Sequence, residues 1–578
     1  MSETGEAPVP SGGEIFPRLQ ALGVTHVFCN SGTDFPPIIE GLARAAAQGR
    51  ALPRPVALAH EHVAMGMAHG AWLATGRLQA VMLHTNVGLA NGAIGAINAA
   101  HDRAPIILMS GRTPVVEQGR FGARTVPIGW GQEMRDQAAL VRESVKWDYE
   151  LRFPEQLPGL LDRAAAIARS TPAGPVYLSL PREVLCEPIA PSSPEAPPMA
   201  PARAAPPPDE IARLARWIAE ARNPVVIAQR GAGSAEGFAA MDRIARGWGL
   251  PVWRWWATAL ALPTDHPMDV GADPGPWIAE ADLIVALDCL APWQPDLHRP
   301  APDARVVHLG PDPLQIRTPV RGFRADMALA GETAEILTML EAALAPLRKG
   351  RAQALEARAR KVAQAAARIR RAAIEAARAG GRAAPMSKAF VSWRLSAAIA
   401  RAGREQDAAV FSELGCPLDP LTLRRHDAWR QEPHSGGLGF GLPAALGFQL
   451  AAPERLVFAT MGDGSYMFAN PVACHQAAEA LGLPVIGVVL NNAEWGAVRQ
   501  SALGLYPDGH AARANAAPLT SLDPSPDFAM VAAASRAHVE TVETPDQLDD
   551  ALDRAIAVAA IERRQALLDV RVQRSMNG

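Results

Sequence analysis

Residues 455–492 read RLVFATMGDGSYMFANPVACHQAAEALGLPVIGVVLNN. Two apolar runs, Arg455 to Met461 and Val485 to Leu490, each end on polar residues: Gly462-Asp463-Gly464-Ser465 after the first, Asn491-Asn492 after the second. Short β-rich runs alternating with helical stretches predict a parallel sheet covered by helices. Such sheets bind ligands in the crevice at the carboxyl ends of their strands. A carboxylate and a side-chain amide on neighbouring strand ends are hard oxygen ligands that suit Mg²⁺ shared with a diphosphate. Backbone N–H groups near the helix after Gly464 suit the phosphate oxygens. Alone, GDG is a tight turn and Asn-Asn a turn or helix cap. With twenty-six residues between Gly464 and Asn491, and a strand before each signal, the combination is specific.

The same alternation runs outward through the chain, in VTHVF, VMLHT, IILMS, PVYLSL, PVVIA, LIVALD and RVVHLG. The fold class is therefore α/β. Two stretches divide it. Pro, Ala and Ser crowd residues 188–208, which reads as a linker because proline holds neither a helix interior nor a central strand. Residues 348–384 form an Ala/Arg-rich connecting helix whose composition suits solvent, ended by Gly380 and Gly381. Three domains follow, at 12–187, 209–347 and 385–578, each a parallel sheet covered by helices.

Basic and acidic side chains number 56 and 59, so no strong field is built in and neither a nucleic-acid nor a membrane partner is expected. Lysine stands only at positions 146, 349, 361 and 388; none completes a Walker-type loop or sits in a recognisable pocket motif. Five scattered cysteines without CxxC spacing encode neither a disulfide framework nor a cysteine-built zinc site, and the polar N-terminal stretch has no signal-like apolar core. These features predict a cytoplasmic protein.

GDG, 26 residues, NN is the pattern of the thiamine diphosphate motif. Residues 435–465, SGGLGFGLPAALGFQLAAPERLVFATMGDGS, resemble the matching segment of benzoylformate decarboxylases and acetolactate synthases. Residues 58–70 (LAHEHVAMGMAHG) resemble the segment carrying the cofactor-activating glutamate, and 84–114 (HTNVGLANGAIGAINAAHDRAPIILMSGRTP) the strand, turn and helix after it. On these strings the chain is identified as a member of the thiamine-diphosphate-dependent decarboxylase, carboligase and lyase superfamily.

The resemblance implies a pyrimidine-binding first domain, a Rossmann-like middle domain and a diphosphate-binding last domain. It places Glu61 against the aminopyrimidine, where a carboxyl that keeps its proton activates the cofactor. It makes Leu438 the apolar prop that bends the cofactor. Asp463, Asn492 and the carbonyl of Glu494 become the Mg²⁺ ligands, with Gly415, Cys416, Gly462, Gly464 and Ser465 around the diphosphate. His84 matches an active-site histidine, and Thr33 a substrate-contacting serine. Trp495, Ala497 and Ser501 would line the substrate pocket, and residues 503–527 would cover it.

The implied function is cleavage or joining of carbon beside a carbonyl: 2-oxo acid decarboxylation, carboligation to an aldehyde, or both. A 2-hydroxyacyl-CoA lyase acting on an acyl-CoA is one alternative, with Arg424 and Arg425 available to a CoA phosphate; a silent regulatory paralogue is another. The glycine turn Arg230 to Ser234 leaves FAD or an adenine nucleotide in the middle domain as an open but unexpected cofactor. A homodimer or homotetramer is implied, with sites at the subunit interface.

Overall fold

A computed structural model of the chain describes residues 9–189, 197–273 and 275–574, in two compact units. The first comprises residues up to Ala202 together with Ser435–Pro453. Its parallel sheet contains β1 (His26–Cys29), β2 (Arg54–Ala57), β3 (Gln79–Leu83), β4 (Ile106–Arg112), β5 (Asp148–Glu150) and β6 (Val176–Pro181), in the order β2-β1-β3-β4-β6-β5. Strands β3 and β6 are buried throughout, which is why they read as unbroken apolar runs rather than alternations. Helices α1 (Glu61–Thr75) and α2 (Thr85–Asp102) start just beyond strand ends.

Every residue of α1 from Glu61 to Ala71 is buried, and its partner within this unit is the helix Gly441–Ala451, itself buried from Gly441 to Gln449. Glycine makes the approach possible. A Cβ on Gly70 would fall 1.8 Å from the carbonyl oxygen of Ala444. The GMAHG and LPAALG strings are thus two faces of one helix pair.

The second unit holds two parallel sheets. The five-stranded one contains β7 (Pro224–Ala228), β8 (Val252–Trp253), β9 (Leu283–Leu287), β10 (Arg305–Gly310) and β11 (Met327–Ala330), in the order β8-β7-β9-β10-β11. Helix α3 (Ala352–Ala379) is mostly exposed, and one face, with Leu355, Val362 and Ala366, joins this sheet's hydrophobic core. Alanine supplies a buried face without a large side chain, so the stripe escapes a search for large apolar residues. Of the linker region, 190–196 lie outside the described residues, Pro188–Ile189 pair antiparallel with Val9–Pro10, and a helix begins at Pro208.

After α4 (Lys388–Arg401), the last sheet contains β12 (Ala408–Glu413), β13 (Trp429–Gln431), β14 (Leu456–Gly462), β15 (Ile486–Asn491), β16 (His538–Val542) and β17 (Ala566–Arg571). Their order is β13-β12-β14-β15-β17-β16. Val410, Phe458, Val488 and Leu568 pack from four central strands onto Val391 and Leu395 of α4. The carboxyl ends of β13, β12, β14 and β15 therefore stand side by side. Among the described residues no helix is long and apolar enough to cross a membrane.

Candidate active site

In the first unit, α1 is capped by His60, whose ring accepts from the backbone N–H of His62 at 3.1 Å. Glu61 is the first residue of the helix. It is 9% exposed, and its Oε2 accepts from Nδ2 of Asn91 on α2 at 3.1 Å.

His84 follows β3 and caps α2. Its Nδ1 lies 2.5 Å from Oδ1 of Asp34, and its Nε2 lies 3.1 Å from Nε2 of Gln132. Asp34 accepts a second bond through Oδ2 from the backbone N–H of Thr85, at 3.3 Å. The pair orients the ring: Nδ1–H donates to the carboxylate, and in the neutral ring Nε2 accepts from the Gln132 amide. The hydrogen bond to Asp34, with the charges of Asp34 and Glu61, raises the His84 pKa against the opposing effect of burial. Asp34 and Gln132 were not singled out in the sequence. Thr33, which was, is exposed, and its carbonyl accepts from Arg182.

Leu438 sits on the turn leading into the helix Gly441–Ala451. Asn98 of α2 donates to the carbonyl of Gly437 at 2.9 Å and accepts from the Ser435 hydroxyl at 2.6 Å. The His62 ring lies 2.9 Å from the carbonyl of Gly439, and burial holds its pKa down. A neutral His62 donating from Nε2 fits that contact. The turn is tied on both sides of Leu438.

In the second unit, three adjacent strand ends, those of β12, β14 and β15, supply the other predicted residues. Asp463, after β14, is 3% exposed. Its Oδ1 accepts from the N–H of Gly464 at 3.0 Å, while Oδ2 is buried without a hydrogen bond of normal geometry. Burial raises the Asp463 pKa, opposed by neighbouring backbone amides and the charge of Lys388. After β15 the two asparagines divide their work. Asn491 bonds Asp569 and accepts from Ala493 N–H and the Ser525 hydroxyl, whereas Asn492 Oδ1 accepts only from Glu494 N–H at 3.2 Å.

A buried carboxylate oxygen lacking a donor, with an amide oxygen just past the end of the adjacent strand, suits a hard divalent cation. Among the described residues no group of three or more His, Cys, Asp or Glu could hold a metal. The Asp463 carboxylate and the Asn492 amide are hard oxygen donors, and a Mg²⁺ held by them would need further oxygens from the diphosphate. Ser465 adds a buried hydroxyl without a partner. The helix from Asp463 ends at Phe468, so local N–H groups matter there more than any long-helix dipole.

At the end of β12, Cys416 donates its N–H to the Thr460 hydroxyl at 3.2 Å, and burial pushes its thiol up to about 12, which leaves it unreactive. Glu432, just past β13, is pushed up to about 7 by burial. The Trp495 ring covers Gly464 so closely that a Cβ there would lie 2.3 Å from it. Ala497 and Ser501 are exposed on the same face of the helix Gly496–Leu505.

At the strand ends of the middle sheet the polar side chains bond one another and the neighbouring backbone. Gln229 donates to Ala291 O at 2.7 Å and accepts from Leu290 N–H, while Arg230 and Asp288 face each other at 3.6 Å. Arg321 donates to Leu290 O and to Nδ1 of His308, which burial and the Arg321 charge lower to about 4.

Three family models match the chain: the thiamine pyrophosphate enzyme N-terminal TPP binding domain over residues 12–140, the central domain over 211–340, and the C-terminal TPP binding domain over 420–570. The chain belongs to the thiamine pyrophosphate enzymes and depends on thiamine diphosphate. It is 29% identical over 531 residues to a probable 2-ketoarginine decarboxylase of Pseudomonas aeruginosa, covering 90% of this chain and 87% of that one. It is 28% identical over 575 residues to the benzoylformate decarboxylase of the same organism, covering 96% and 97%. Its fold is similar to that of a thiamine diphosphate-dependent 4-hydroxybenzoylformate decarboxylase from Rhodococcus jostii RHA1, with a TM-score of 0.74, 23% identity, and coverage of 97% and 98%.

Proposed function

We propose that the protein is a Mg²⁺-dependent 2-oxo acid decarboxylase that also joins the decarboxylated product to an aldehyde. The relatives named above support the substrate class. The observation that carries the reading is His84: a half-buried imidazole at the end of β3, its Nδ1 held 2.5 Å from Asp34 Oδ1, a bond that raises the ring's pKa and so favours its protonated form. A cation there attracts a substrate carboxylate and afterwards has a proton to give.

Thiamine diphosphate, when bound, supplies the carbon nucleophile and the electron sink for breaking a bond beside a carbonyl. Glu61 would hold a proton at a ring nitrogen of the aminopyrimidine, with Asn91 fixing its carboxyl. Leu438, on its clamped turn, would orient the rings. Asp463, Asn492 and the Glu494 carbonyl would hold Mg²⁺, and Ser465 would donate to a phosphate oxygen. His84 would orient the 2-oxo acid carboxylate and, after CO₂ leaves, protonate the carbon or oxygen that retained the bonding electrons. Trp495, Ala497 and Ser501 are the proposed acyl-pocket residues of the second unit, and Thr33 is a proposed substrate contact of the first.

A CoA substrate is less well served. Arg424 is paired with Asp265 and Arg425 with Asp427, so neither is held ready for a phosphate. Assembly into a homodimer or homotetramer belongs to this reading. Val87, Ile94 and Ile97 are exposed along α2 beside Asn91, as are Met467, Phe468 and Val472 just after the GDGS turn. A reducing, cytoplasmic setting is supported by five free cysteines.

The test is CO₂ release from a panel of aliphatic, aromatic and guanidino 2-oxo acids, with and without thiamine diphosphate and Mg²⁺. Cofactor-dependent release from at least one class is expected. Cleavage of 2-hydroxyacyl-CoAs with no CO₂ from any 2-oxo acid would overturn the reading.

A further inference from the structure

Lysine is rare in this chain, and one of its four copies stands at the diphosphate end of the proposed site. Lys388 opens α4, and its ammonium donates to the carbonyl of Leu414 at 2.7 Å. Leu414 is the first residue past β12, in a left-handed conformation (φ 50°), and it bridges to Met461 at the end of β14. The hydrogen bond therefore sets the ammonium at the strand-end crevice that Asp463 enters. Burial lowers the Lys388 pKa, opposed by the acidic groups Asp463, Glu432 and Glu494.

We propose that Lys388 is a diphosphate-binding residue: a second, protein-borne cation that contacts the terminal phosphate alongside Mg²⁺. The proposal rests on the reading that the diphosphate lies at Asp463. A magnesium ion partly offset by Asp463 does not neutralise a diphosphate, and a buried net anion is costly unless another cation pairs with it. An ammonium has three donors. Leu414 takes one, the ammonium's sole hydrogen bond among the described residues. Two donors remain for phosphate oxygens. A compact point charge suits this place, because the planar fork of arginine would have to fit beside the Leu414 turn. The Leu414 bond then orients the ammonium before the cofactor arrives.

Calorimetric titration of the cofactor-stripped full chain tests this, with thiamine diphosphate, thiamine monophosphate and thiamine, each with Mg²⁺. Lys388→Met should weaken thiamine diphosphate binding about 10- to 100-fold, the loss expected for a charge-assisted hydrogen bond. Thiamine affinity should stay unchanged, and Lys388→Arg should recover part of the loss. Unchanged diphosphate affinity in Lys388→Met, or equal weakening for thiamine and its diphosphate, would overturn the assignment. If Lys388→Met does not fold, Lys388→Gln takes its place and is judged by the same two ratios. Asp463→Ala in parallel separates the premises. Loss of Mg²⁺-dependent binding in Asp463→Ala with none in the lysine variants removes Lys388 alone, whereas intact Mg²⁺-dependent binding in Asp463→Ala removes the diphosphate reading, and the Lys388 assignment with it.

Discussion

Replacing Asp34 by asparagine changes almost no volume and tests whether His84 works as a held cation. Both Asp34 oxygens are in use: Oδ1 faces His84 Nδ1 at 2.5 Å and Oδ2 faces Thr85 N–H at 3.3 Å. Asparagine offers one acceptor oxygen, so one of these donors must face an NH₂ group. Leaving a buried donor unpaired costs about 1–3 kcal/mol, and the loss of a charge-assisted bond acts in the same direction. If that cost falls on orienting His84, kcat/KM at neutral pH should drop by roughly one to two orders of magnitude. The pH profile should move as well. Asp34 raises the His84 pKa, so activity that needs the protonated ring extends above the ordinary histidine range and fails as pH rises through the folded-state value. In Asp34→Asn that alkaline limb should shift toward lower pH. The same sign governs stability: the advantage of the native pair over the variant should be largest below about pH 6.5, the unperturbed histidine value, and shrink on the alkaline side. Steady-state decarboxylation from pH 5.5 to 9, with thermal scans at both ends, reads both. An alkaline limb that stays in place, or a stability gap that grows with pH, would refute the reasoning.

His84→Ala should cut turnover strongly while leaving exchange of the thiazolium C2 proton with deuterium nearly intact; parallel loss of both, by NMR and by CO₂ release, would make the residue structural. Gly70→Ala should destabilise the first unit by about 1–3 kcal/mol, because its methyl group would collide with the Ala444 backbone; a thermal midpoint equal to the parent would contradict that packing. Mixing inactive Glu61→Gln with inactive Asp463→Ala protein, under conditions that exchange subunits, should restore part of the activity if two copies share each site. Demonstrated heterodimers without recovered activity would mean that each chain builds its own.

The sequence was most legible where one short segment carries both a strand and the residue at its end. Buried parallel strands leave long apolar runs, so β3 with His84, β14 with Asp463 and β15 with Asn492 could be read directly. Legibility failed where topology joins distant segments. Asp34 meets His84 across 50 positions, and Lys388 meets Leu414 across 26. No local period encodes either meeting. The SGTDF string drew attention to Thr33, although the neighbouring carboxylate is the buried one. The mostly exposed helix Ala352–Ala379 has one packed face built largely of alanine, which composition counts less readily than large side chains. The grouping of Ser435–Pro453 with residues up to Ala202 has no signature beyond glycines spaced for close helix contact.

The account rests most heavily on Glu61 as the carboxyl that activates bound thiamine diphosphate. Quenched-flow measurement of deuterium exchange at the thiazolium C2, in protein reconstituted with thiamine diphosphate and Mg²⁺, tests this without any choice of substrate. Parent protein should exchange fast, and Glu61→Gln should bind the cofactor yet exchange slower by several orders of magnitude. Equal exchange rates in the two proteins, at matched cofactor occupancy, would contradict the central assignment.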